Sequence, residues 1–184
     1  MKKRLLIGFL IMSVTLLSSC INLSNKPPKE YDPHNYEHDR EIVYNQKTMK
    51  EILRCFDEGD VQGIKSMFSP DIQSKYDLES QIEKAFSLYE GKSLSYGEIR
   101  DHGIVTAYTE DGYYTRKRIG AKMKGITTDT DKIYVIDFEK YVLYDEDEDK
   151  LGLYKVSLRT DNTAEGNETT IAVIGSNKME EWKL

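Results

Sequence analysis

The chain is poor in the residues on which recognisable chemistry usually depends. It holds three histidines, two cysteines and one tryptophan in 184 residues. No Cys-x-x-Cys pair, His-Glu helix motif, glycine-rich phosphate loop or Gly-x-Ser-x-Gly elbow occurs. No catalytic set, metal site or cofactor is therefore expected. Positive charge is also short, with 26 Lys and Arg against 32 Asp and Glu. The net charge of −6 and the lack of a Lys/Arg cluster argue against nucleic acid as a partner. The one long apolar run, residues 5–17, is interrupted by Gly8, Ser13 and Thr15. It falls short of the roughly 20 apolar residues that a spanning helix needs.

That run is instead part of an address. Lys2, Lys3 and Arg4 precede it and Ser18, Ser19 and Cys20 follow, the three-part layout of a secretory signal. Leu17-Ser18-Ser19-Cys20 resembles the bacterial lipobox: an aliphatic residue, two small ones, then Cys. The resemblance implies lipidation of the Cys20 thiol and cleavage just before it. Acyl chains on Cys20, at about 0.8 kcal/mol per buried methylene, would hold the chain on the extracytoplasmic face of the cell membrane. Losing residues 1–19 removes three cations and takes the net charge from −6 to −9. The lipid, and not the acidic surface, then explains membrane attachment. Cys55 would be left with no disulfide partner. It lies in an apolar stretch beside Phe56 and reads as a small buried hydrophobe.

Three segments follow: a signal peptide over 1–19, the lipidated Cys20 with a tether over 20–39, and one domain over 40–184. Pro27, Pro28 and Pro33 stiffen the tether. His34 and His38 within it lack the further ligands and frame of a metal site. In the domain, Ile42, Met49, Ile52, Leu53 and Phe56 recur at helical spacing, and Gly59 stops that helix. Asp60 caps a short second helix that ends at Ser69-Pro70; Asp77 caps a third over about 77–90. Residues 93–100, 103–109, 113–126, 132–144, 151–160 and 169–175 read as strands separated by turn residues. Connections this short favour antiparallel neighbours. Helices first and strands afterwards give an α+β fold: three helices packed on a curved antiparallel sheet.

This element order resembles the cystatin-like cone of the nuclear transport factor superfamily. Residues 46–175 also resemble Gram-positive lipoproteins defined only by a domain of unknown function. Leu94-Ser95-Tyr96, residues 124–129, residues 134–138, Tyr141, Tyr144-Asp145, Asp147 and Gly152-Leu153-Tyr154 carry the likeness. It implies a fold and a location. It transfers no mechanism, because the cone hosts many functions.

Several clusters bear the residue types of a site. Counted from Asp145, the acidic run over 145–149 has Lys150 and Val156 where a calcium loop needs Gly and Glu, so it reads as a solvated hairpin tip. Asp137 and Glu139 alternate with Ile136 and Phe138, which places these carboxylates on the sheet face away from the helices. Asp101 and His102 point to opposite faces, and with Arg100 they read as a strand-end surface cluster. Arg116, Lys117 and Arg118 read as a basic patch on a solvent face. Asn167-Glu168-Thr169 has the form of a glycosylation acceptor, which a bacterial chain would not use. The chain is thus expected to be a non-enzymatic binding domain of unknown ligand or protein partner. The alternatives are an assembly domain using its sheet face and, less favoured, a small hydrolase or isomerase of the cone fold.

Overall fold

The computed structural model describes residues 34, 38–101, 105–108, 114–162 and 167–176. Helix α1 spans His38–Glu58. It stops at Gly59, whose φ of +66° is the left-handed turn a side chain would strain. Asp60 caps α2 (Val61–Met67) by accepting the Gly63 N–H at 2.8 Å. Pro70 ends α2 as expected, but it also begins another helix, α3 (Pro70–Lys75). Ser69 Oγ accepts the Ile72 N–H at 3.3 Å, and proline fits the first helical position because its missing N–H has no partner there. Asp77 caps α4 (Leu78–Leu88) by accepting the Ser80 N–H at 3.2 Å. The described residues thus hold four α-helices where three were expected.

Seven strands follow: β1 (Ser93–Ser95), β2 (Ile99–Asp101), β3 (Val105–Tyr108), β4 (Tyr114–Thr128), β5 (Ile133–Tyr144), β6 (Gly152–Asn162) and β7 (Asn167–Ile174). The segment expected as one strand over 93–100 is two, broken at Tyr96-Gly97-Glu98. All strand pairs are antiparallel. The order is β1-β4-β5-β6-β7, with β2 and β3 also beside β4 along the same edge. The fold is mixed helix and sheet with one open antiparallel sheet. Register shifts in the β4–β5, β5–β6 and β6–β7 ladders bend the strands.

The helices cover one face of the sheet. Met49, Ile52 and Phe56 of α1 and Ile82 and Ala85 of α4 share a core with Ala121, Met123, Ile136, Phe138, Val156, Leu158 and Ile174. Alternate strand residues supply it, as pleating requires. Each of these apart from the alanines contributes about 1.5–3 kcal/mol on burial. Phe56 meets Phe86 and Tyr89 edge to face, with centroids 5.0 and 5.3 Å apart. The Tyr134 hydroxyl accepts the Glu90 N–H at 3.0 Å and donates to the Leu88 carbonyl at 3.1 Å, pinning the end of α4 to β5.

Candidate functional site

Side chains fill the space between helices and sheet. One corner of it is polar. Glu41, Asn45 and Thr48 of α1 are buried there with Lys117 and Lys140. Lys117 donates to Glu41, closing a fully buried ion pair. Asn45 Nδ2 donates to Asp101 Oδ1 at 2.8 Å. Lys140 lies 5.1 Å from the Tyr44 ring centroid. Desolvation holds its ammonium down at about 8.

The opposite face of the sheet carries a charged layer. Glu139 binds Lys155 at 2.8 Å and Arg118 at 3.1 Å. Arg159 binds Asp137 at 2.9 Å and Glu168 at 3.0 Å. Glu168 also meets Lys122 at 2.6 Å and Lys124 at 2.7 Å. Burial alone would raise the Glu168 carboxyl. Hydrogen bonds from Lys122, Lys124 and Arg159 outweigh that and hold it at about 2. Nearby, the Arg118 guanidinium sits 5.9 Å from the Tyr141 ring and 5.8 Å from the Tyr154 ring.

The open concavity lies elsewhere, between α1 and the β1–β2 edge. Ile42, Gln46 and Lys50 form its helical wall; residues 96–101 form the other, around a volume of about 510 Å³. A second hollow of about 430 Å³ continues along α1 past Val43, Lys47 and Arg54. The walls are held by local chemistry. Asp57 of α1 accepts from Tyr89 Oη at 3.0 Å and from the Ser93 N–H at 2.8 Å, which ties the start of β1 to the helix. The Gly97 N–H donates to the Lys124 carbonyl at 2.9 Å, and a Cβ at Gly97 would meet that oxygen at 3.1 Å. Apolar groups stay exposed beside the groove, with Leu94 at 73 %, Val43 at 66 % and Tyr96 at 43 %.

Residues 51–163 match a domain of unknown function (DUF5104). The chain belongs to that family. The matched region takes in the strand wall of the groove and most of the charged layer, while Ile42, Gln46 and Lys50 precede it. No curated protein matches the chain. Among the described residues no helix is long and apolar enough to cross a membrane.

The expected site residues scatter. Cys20 and His102 lie outside the described residues. His34 is exposed, with Nδ1 3.3 Å from the Tyr114 carbonyl, and His38 begins α1. Ile136 and Phe138 face the helices and Asp137 and Glu139 face away, as their alternation required. Both carboxylates are buried by their cationic partners. Arg100 pairs with Glu98 at 2.7 Å, while Asp101 turns to α1. The basic patch over 116–118 does not exist as one surface: Lys117 points into the polar corner, and Arg116 and Arg118 lie on the other face. Cys55 is buried, and burial pushes its thiol up to about 12. The sequence reading missed Glu168, Lys140 and Glu41, which carry no motif. Ile42 shares the helical repeat of Met49, Ile52, Leu53 and Phe56 but does not join their core. Glu41, Tyr44, Asn45 and Thr48 occupy the inward positions instead, and Ile42 is left for the groove.

Proposed function

We propose that this chain is a lipid-anchored domain on the extracytoplasmic face of a bacterial membrane, folded as a cystatin-like cone, that binds a partner in the α1–β2 groove without catalysing a reaction. One contrast carries the reading. The interior is occupied by side chains, whereas the groove is open and its walls come from separate elements fastened by Asp57. Concave surfaces lined by apolar and a few polar groups are where ligands sit. The helices on one face and the bent strands support the cone. The signal segment and Cys20 support the anchor.

The anchor is tested by mass spectrometry and fractionation. Wild type carries fatty acyl mass at Cys20 and sediments with membranes; Cys20→Ser loses both. A Cys20→Ser chain that still sediments overturns the anchor. The site is tested by placing a photo-crosslinking phenylalanine at Val43, beside the groove, or at Tyr154, on the opposite face. Adducts in intact membranes from Val43 and not from Tyr154 support the groove. The converse supports a second reading, a copy-to-copy interface on the face where Arg118 lies between Tyr141 and Tyr154.

A further inference from the structure

We infer that the groove receives an acidic peptide in extended conformation, added as a further strand to the β1–β2 edge. The inference rests on the groove reading above and names the chemistry of its occupant.

The strand wall belongs to an edge of the sheet. Among the described residues β1 and β2 pair with β4 and with no other strand. Apart from the Ser93 N–H, which donates to Asp57, their outer N–H and C=O groups have no strand partner among the described residues. An extended backbone is the ligand that complements such an edge.

The helical wall has the matching repeat. Ile42, Gln46 and Lys50 are spaced by four residues on one stripe of α1. Four helical residues rise about 6 Å, and two strand residues rise about 6.7 Å. Alternate side chains of an added strand therefore meet successive helical side chains. They meet an aliphatic group at Ile42, an amide at Gln46 and an ammonium at Lys50.

The charge is uncompensated in one sense only. Glu51 is paired with Arg54 and Glu98 with Arg100, and Asp101 accepts from Asn45. Lys47 and Lys50 are exposed and make no ion pair among the described residues. A carboxylate on the ligand satisfies them. Ile42, Ile99 and the exposed Tyr96 take an apolar side chain. The occupant therefore presents an apolar and an acidic side chain four residues apart on the same face.

The probe is a fluorescein-labelled nonapeptide of threonines, with valine at its third position and glutamate at its seventh. Binding is read by anisotropy against the full mature chain in detergent. Wild type binds this peptide about fivefold or more tighter than its seventh-position lysine counterpart. Lys50→Glu reverses that order with an unchanged melting temperature, and Lys47→Glu weakens the preference. Backbone N-methylation of one alternate set of peptide amides, the set turned to the edge, removes binding, and methylation of the other set does not. Equal binding of both charges, undiminished binding whichever alternate set is methylated, or no binding of either peptide overturns the inference. Groove amides that slow their hydrogen exchange in native membranes would even then leave the groove reading standing; unprotected amides there remove that reading as well.

Discussion

Lys122 of β4 and Glu168 of β7 meet at 2.6 Å although β5 and β6 lie between their strands. Three interstrand steps in a flat sheet separate them by at least about 14 Å, beyond the reach of the two side chains rising from it. That corner of the sheet therefore curls toward the face opposite the helices. Glu168 gathers Lys122, Lys124 and Arg159 there and locks the curl. Glu168→Gln leaves three clustered cations and costs on the order of 2 kcal/mol at pH 7. The folded carboxyl sits near 2, below its ordinary value of 4.5. Its stabilisation is thus full above 4.5 and is lost as pH falls toward 2. Urea titrations across that window show a shallower acid loss in the variant.

Lys140 has the opposite sign. Its folded ammonium titrates near 8 against an ordinary 10.5. Between those values the unfolded chain binds more protons, so this group makes stability rise with pH from about 8 to 10.5. Lys140→Met removes a buried charge and stabilises the fold at pH 7 by on the order of 3 kcal/mol. Chemical denaturation at pH 7 and pH 10 checks both the gain and the loss of the alkaline rise.

The Lys117–Glu41 pair joins β4 to the first turns of α1, and both side chains are buried. Glu41→Ala removes the carboxylate that Lys117 donates to and costs on the order of 3 kcal/mol. Replacing both residues, Glu41→Leu with Lys117→Met, restores most of that loss. Melting curves of the single and double variants check the cycle.

Cys55 is buried on the inner side of α1, facing Gly63 of α2, and its thiol is held up at about 12. Labelling by a thiol reagent at pH 8 therefore proceeds at the rate of unfolding. Labelling kinetics in increasing urea follow the global transition; fast labelling of the native chain would contradict the burial.

Period and punctuation made much of this fold readable. Gly59, Asp60 and Asp77 marked helix ends because their roles are local: a left-handed turn and two caps. The long strands were readable from alternation, and Ile136-Asp137-Phe138-Glu139 sorted correctly between two faces. Pro70 misled because proline both ends one helix and opens the next. The groove was hidden for a different reason. Its formation depends on polar residues turning inward on α1, and inward Glu41 and Asn45 make sense only once Lys117 and Asp101 arrive from distant strands. The same holds for Glu168, whose partners come from β4 and β6. Long-range charge pairing leaves no period in a sequence.

The decisive measurement is hydrogen exchange of the full chain in its own cells, set against the purified chain. Binding in the groove slows exchange in residues 42–54 of α1 and in 96–101, with the rest unchanged. Equal exchange at those amides in both states, or protection confined to β5–β7, would contradict binding in the groove.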